Sequence, residues 1–182
     1  MPLKAGAYPH LPHAALFPCQ HPHKRIYNFR KLSRTFPPPR NGAAMKQRIL
    51  FLCTHNSCRS QMAEALANHY LADRCQAFSA GTQATRVNPL AAQVLAELGI
   101  DVSNHRSKTL DEFQGERFDH VVTLCGDANE TCPLFIGGVE RVHRGFDDPS
   151  RLEGSEEELL PEFRRVRDEI KNWIIHHFGG AS

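Results

Sequence analysis

Cys53, Thr54, His55, Asn56, Ser57, Cys58, Arg59 and Ser60 put a cysteine and an arginine six positions apart, directly after the apolar run Arg48 to Leu52. That run reads as a buried parallel strand, and Gln61 to Leu71 reads as a helix. A strand, a tight loop and a helix N-terminus together make a nest of backbone N–H groups that holds a tetrahedral oxyanion. Arg59 adds a planar fork of donors for the same oxygens, and its positive field favours a thiolate at Cys53. Such a loop can bring sulfur onto phosphorus or arsenic. The bland alternative is a core cysteine beside a surface arginine.

With six cysteines in the chain, the C-x5-R spacing alone is a common accident. Three further features make it specific. Cys53 closes a strand, where open α/β sheets place their ligands. Ser60 is placed to hydrogen-bond the sulfur, and Asn56 tolerates the left-handed backbone that such a loop needs. The helix that follows carries Met62, Leu66, Tyr70 and Leu71 as apolar positions, so its N-terminus faces the loop.

Two further cysteines suggest redox chemistry. Asp119 to Leu124 reads as another apolar strand, and Cys125 follows it, which sends its sulfur to the same sheet edge as Cys53. Cys132 comes seven residues later, a separation of about 10 Å if the intervening segment were helical. A disulfide needs Cα atoms roughly 4.4–6.8 Å apart, so Cys125 and Cys132 pair only if that segment unwinds or loops out. Gly126, Asp127 and Asn129 make it a poor helix. A redox switch suits the pattern better than a zinc site, which would want a second close pair of cysteines or histidines. In Gly145-Phe146-Asp147-Asp148-Pro149 the proline holds Asp148 in extended backbone. Its carboxyl is then a candidate acid for a leaving oxygen, or the first residue of a surface turn.

The elements that must position these groups alternate. After the first strand and helix come a short strand from Gln76 to Ser79 and a helix from Asn88-Pro89 through Leu98, stopped by Gly99. A helical turn follows from Thr109 to Phe113, then the Cys125 strand and a fourth strand over Val139 to His143. An amphipathic helix from about Leu160 to Phe178 closes the chain, with Phe163, Val166, Ile170, Trp173, Ile174 and His177 on one face. This order predicts a doubly wound, four-stranded parallel sheet with helices on both faces and the site at the strands' C-terminal ends.

Residues 1–44 differ from the rest. They hold seven lysines or arginines, no acid, eight of the twelve prolines and four histidines, which leaves net −5 for residues 45–182. This composition predicts a disordered basic leader ahead of one domain, with Met45 as a candidate initiator. No stretch is long enough for a membrane span, no signal-peptide core is present, and a basic run of this kind is more often solvated than bound to nucleic acid.

The runs Phe51 to Glu64, Val121 to Cys125 with Cys132-Pro133, and Gly145 to Pro149 resemble the thioredoxin-coupled arsenate reductases, which share a fold with low-molecular-weight protein tyrosine phosphatases. The resemblance covers about residue 47 to the end. It implies a three-cysteine relay that reduces arsenate to arsenite. Cys53 attacks arsenate cradled by residues Thr54 to Ser60, with Asp148 as acid, and disulfides Cys53–Cys125 and then Cys125–Cys132 carry the oxidation to thioredoxin. It also implies a cytoplasmic monomer with no obligatory cofactor. The family's potassium site would fall on Asn56, Glu64 and Ser79, but Lys108 stands at the position matched to a further acidic ligand. His55 replaces a more usual glycine. The competing functions are a phosphotyrosine phosphatase, which would need only Cys53, Arg59 and Asp148, and a non-enzymatic arsenic or redox sensor, which has no use for a placed acid.

Overall fold

The structure is a computed structural model that describes residues 45–125 and 138–180. The expected leader over 1–44, Cys132 and the segment joining it to Cys125 lie outside these residues. Four parallel strands form one sheet: β1 (Gln47–Cys53), β2 (Cys75–Gly81), β3 (Phe118–Thr123) and β4 (Gly138–His143), in the order β2-β1-β3-β4. Three α-helices, α1 (Arg59–Tyr70), α2 (Pro89–Ala96) and α3 (Glu156–Phe178), and two 3-10 turns, Leu110–Phe113 and Pro149–Arg151, complete the described residues.

β1 is the centre of the sheet because both its faces are apolar, as a strand covered on both sides must be. Ile49 and Phe51 face the three α-helices and join Met62, Leu66, Val94, Leu95, Phe163, Val166 and Ile170 in the main core. Leu50 and Leu52 face the other way and pack with Phe113 and Phe118 under the first 3-10 turn. Phe78, Phe113 and Phe118 meet there edge to face, with ring centroids 5.6–5.9 Å apart. Both faces of the sheet are thus covered, one by α-helices and the other by a 3-10 turn.

Helix boundaries follow their capping chemistry. The Asn88 side chain accepts from the amides of Leu90 and Ala91, and Pro89 takes the first helical position, where its missing N–H costs nothing. α3 begins four residues before the start expected from apolar periodicity, because Ser155 and Glu158 form a reciprocal capping box. That box secures an exposed first turn despite Pro161. In α1, Tyr70 is half-exposed and not on the buried face, and Ala63, Ala65 and Ala67 take up burial that a larger residue would crowd. His177 lies exposed, stacked on Trp173 with centroids 4.9 Å apart, while Trp173 itself packs against the core.

The parallel register brings the site together. Cys53 pairs with Gly81 at the ends of β1 and β2, and Leu52 pairs with Thr123 at the end of β3. The Leu124 amide then donates to the Leu52 carbonyl at 2.8 Å, which carries the chain to Cys125 beside the end of β1.

Candidate active site

Residues 54–58 link β1 to α1 as a loop whose carbonyls are held from outside. The Thr54 carbonyl accepts from the Gln83 amide at 3.0 Å and from the Thr82 hydroxyl. The His55 carbonyl accepts from the Ser107 hydroxyl at 2.9 Å, the Asn56 carbonyl from Gln61 Nε2 at 3.1 Å, and the Ser57 carbonyl from the Asn88 amide at 2.9 Å. In a trans peptide the N–H points opposite to the carbonyl it is bonded through. Four carbonyls turned outward therefore turn the amides of His55, Asn56, Ser57 and Cys58 into the loop. This is the anion nest, built by five residues that lie outside the C-x5-R motif.

Asn56 is the only described non-glycine residue with positive φ, at 46°, and it is fully buried. Its backbone turn is fixed by its side chain. Oδ1 accepts from the Lys108 backbone amide at 2.7 Å and from Gln61 Nε2 at 2.9 Å, while Nδ2 donates to Ser60 Oγ at 2.9 Å and Ser79 Oγ at 2.7 Å. Ser60 Oγ in turn lies 2.9 Å from Cys53 Sγ. A β-carbon on Gly81 would lie 2.6 Å from the Thr54 carbonyl oxygen and 2.8 Å from the Asn56 nitrogen, so the loop's close approach to β2 requires glycine there.

Arg59, the first residue of α1, ties the other segments to the loop. Nη1 donates to the carbonyls of Phe146, at 3.1 Å, and Leu124, at 3.4 Å, and Nη2 donates to Asp148 Oδ2 at 2.6 Å. Asp148 also caps the 3-10 turn Pro149–Arg151, accepting from the Ser150 amide at 3.1 Å and hydroxyl at 2.6 Å. Asp148 starts the turn expected of an Asp-Pro and also reaches the loop arginine, which puts its carboxyl at the edge of the recess. Cys53, His55, Ser57, Cys58, Arg59, Asp148 and Ser150 line one small recess.

Cys53, Cys58, Cys75 and Cys125 are buried thiols, in no disulfide. Burial pushes the Cys58 thiol well above its ordinary range, aided by the nearby charges of Asp148 and Cys53 and opposed by Arg59. Cys58 is thus held as a thiol next to the nucleophile position. Burial raises Cys75 as well, with Asp73 adding to it and Lys46 opposing, and its sulfur faces the Ala67 carbonyl inside α1.

The residues matched to a potassium site are close together, but they hold an internal cation. Lys108 Nζ lies 3.1 Å from Glu64 Oε2, with 13% of each side chain exposed, and the Ser79 hydroxyl donates to the same oxygen. An oxygen set already neutralised by an ammonium does not fit a further cation. Among the described residues no group of three or more histidines, cysteines and acids is arranged to hold a metal ion.

Sequence reasoning did not find Gln61, Ser150 or Gly81 as parts of this site. Gln61 lies in the run that carries the resemblance, but no local signal shows that its amide braces both ends of Asn56 and accepts from His105 Nδ1 at 3.0 Å. The one local signal for Ser150 was its place directly after Asp148-Pro149, two residues beyond the aspartate.

A cysteine–arginine anion loop at the C-terminal edge of a parallel sheet, with an aspartate returned to it from the last strand, defines a class of phosphatase-like enzymes. The chain belongs to the low molecular weight phosphotyrosine protein phosphatase family, which matches residues 48–178. Its similar relatives include proteins named arsenate reductase. That of Halalkalibacterium halodurans is 52% identical over 69% of this chain and 90% of its own length, and that of Bacillus subtilis is 52% identical over 68% and 89%. The solved structure of an arsenate reductase in the phosphate binding state superimposes with a TM-score of 0.61 at 31% identity, covering 76% of this chain and 100% of that one.

Proposed function

We propose that this chain reduces arsenate to arsenite. The observation that carries the reading is a second buried thiol, Cys125, one residue beyond the backbone bond that joins Leu124 to Leu52 beside Cys53. It stands in a chain half identical to proteins named arsenate reductase. A phosphatase needs no sulfur there.

In this reading the amides of His55 to Cys58 and the Arg59 guanidinium hold the oxyanion, and the Cys53 thiolate attacks arsenic while Asp148 supplies a proton to the departing oxygen. Cys125 then attacks Cys53 Sγ. The S–S bond forms, the S–As bond breaks with its electron pair left on arsenic, and arsenic falls from the +5 to the +3 state. Cys132 attacks Cys125 Sγ next, releasing the Cys53 thiolate and leaving a Cys125–Cys132 disulfide for an external dithiol to reduce. Thioredoxin is the reductant we assign, acting on a monomer in a reducing cytoplasm. No helix among the described residues is long and apolar enough to cross a membrane.

The test is arsenate-dependent oxidation of thioredoxin by the purified chain, run beside glutaredoxin with glutathione. Turnover with thioredoxin is expected. Turnover only with glutaredoxin would reassign the reductant, and hydrolysis of aryl phosphate with no arsenate reduction would return the chain to the phosphatases.

A further inference from the structure

The hydrogen bonds from Lys108 to Ser60 admit one direction only, and so does the last link to Cys53 once its sulfur is a thiolate, which can only accept. The backbone N–H of Lys108 can only donate, and it meets Asn56 Oδ1 at 2.7 Å, which fixes the orientation of the Asn56 amide. Asn56 Nδ2 must therefore be the donor to both Ser79 Oγ and Ser60 Oγ. Ser79 in turn gives its proton to Glu64 Oε2, which as a carboxylate can only accept. Ser60, having accepted from Asn56, keeps its own proton for Cys53 Sγ, 2.9 Å away. At the far end of this chain Lys108 Nζ sits 3.1 Å from Glu64 Oε2, mostly shielded from water.

We propose that the Lys108 ammonium is a built-in substitute for a bound cation. With the Asn56 amide already oriented by the Lys108 backbone N–H, the ammonium keeps Glu64 as the acceptor for the Ser79 proton, and this polarises a relay through Ser79, Asn56 and Ser60 that ends as a donated hydrogen bond on the Cys53 sulfur. Were Glu64 protonated, its own O–H could donate to Ser79, and the Ser79 proton would lose the carboxylate that polarises Ser79 as an acceptor for Asn56. The amide that holds the loop at φ 46° would then be loosened along with the donor to sulfur. Lys108 touches neither Cys53 nor the oxyanion nest, so it is a positioning residue. A consequence is that this chain has no use for potassium: its charge is already in place on a side chain.

The other charged or titratable groups around the relay are few. His105 faces Glu64, Lys108 and Asp101; Arg106 also feels the Glu64 charge, but its guanidinium is bound to Glu112, which itself feels Lys108; and Arg59, Asp148 and Cys58 surround Cys53. None of them takes the place of Lys108 against the Glu64 carboxylate.

The inference rests on Cys53 being the nucleophile of the proposed reaction, but its test needs no arsenate. The rate at which iodoacetamide modifies Cys53, read by peptide mass spectrometry across pH, reports the thiolate. In the wild-type chain that profile and the melting temperature are expected to be the same in potassium chloride and sodium chloride of equal ionic strength. A potassium-specific rise in either would overturn the proposal without any variant being made. In Lys108→Gln the alkylation midpoint should move up by about one pH unit, a tenfold loss of thiolate at a given pH. Lys108→Arg, which keeps the charge, should restore most of it. An unchanged midpoint in Lys108→Gln, or no rescue by arginine, would also overturn it. Absence of arsenate turnover together with the expected alkylation behaviour would count against the proposed function and leave this relay standing.

Discussion

The Arg59 guanidinium and the Asp148 carboxylate form an ion pair with Nη2 and Oδ2 2.6 Å apart, and only 3% and 10% of the two side chains are exposed. The pair joins residues 89 positions apart and makes the arginine of the anion loop also the anchor of the acid. An oxyanion in the loop competes with Asp148 for the same donors.

Asp148→Asn should separate these roles. The amide oxygen can still accept from Arg59, but it cannot deliver a proton, so kcat should fall by about 10²–10⁴-fold with little change in KM. Asp148→Ala leaves a buried guanidinium without its partner, a change worth roughly 3–5 kcal/mol when buried pairs are broken. Thermal unfolding should therefore place the alanine variant clearly below the asparagine variant. A melting temperature of the alanine variant equal to that of the wild type would mean that the pair contributes nothing to the fold.

The cysteines give a sharper division. Cys53→Ser should abolish both arsenate reduction and any aryl phosphatase activity, because a serine hydroxyl is a far weaker nucleophile at neutral pH. Cys125→Ser and Cys132→Ser should each stop repeated arsenate turnover while sparing hydrolysis of aryl phosphate, which needs neither sulfur. Cys132→Ser should complete one turnover and accumulate a Cys53–Cys125 disulfide, visible by mass spectrometry of alkylated digests. If Cys132→Ser turned over at the wild-type rate with thioredoxin, the relay would be wrong.

What could be read from sequence was what lies close in sequence. The strand, the loop and the start of α1 sit within residues 47–70, and periodicity, a cysteine–arginine spacing and one asparagine are local signals. The strand order β2-β1-β3-β4 has no such signal, since alternation implies a parallel sheet without saying which strands are neighbours. Lys108 shows the same limit. It looked like a mismatch at one position of a cation site, and only the fold, which brings it across 44 residues to Glu64, reveals that it carries the missing charge. The start of α3 was obscured for a different reason: its first turn, Glu156, Glu157 and Glu158, carries no apolar stripe, and the signal there is the Ser155–Glu158 capping box.

Gly81 should be as sensitive as the named site residues. An alanine β-carbon would meet three backbone atoms at 2.6–2.8 Å, the Thr54 and Gln83 oxygens and the Asn56 nitrogen, and backbone cannot swing aside as a side chain can. The loop must shift, and a displacement of about 1 Å at a reacting centre can cost on the order of 10²-fold in rate. Overpacking of this kind typically destabilises by about 1–3 kcal/mol. Gly81→Ala should thus lose most of its kcat/KM while keeping a folded circular-dichroism spectrum. Wild-type kinetics in this variant would show that the loop tolerates a wider seat.

His105 should make the fold sensitive to mild acid. Burial lowers its affinity for a proton below the ordinary value of 6.5, with Lys108 acting the same way and Glu64 and Asp101 opposing. The folded chain therefore binds this proton less readily than the unfolded chain does. The resulting stability is fully present above pH 6.5 and is lost as pH falls from there through the lower folded value. Its ring has a structural task, since Nδ1 donates to Gln61 Oε1, and Gln61 holds the Asn56 carbonyl and side chain. His105→Asn keeps a donor for Gln61 and removes the titration. Urea denaturation midpoints should fall between pH 7 and pH 5.5 in the wild type, and fall less in His105→Asn, with the difference closing at neutral pH. Parallel declines in the two proteins would show that a group other than His105 carries the acid sensitivity, and not Glu97 or Glu112, whose proton affinities are lowered by arginine partners and whose contribution is lost only below the ordinary value of 4.5.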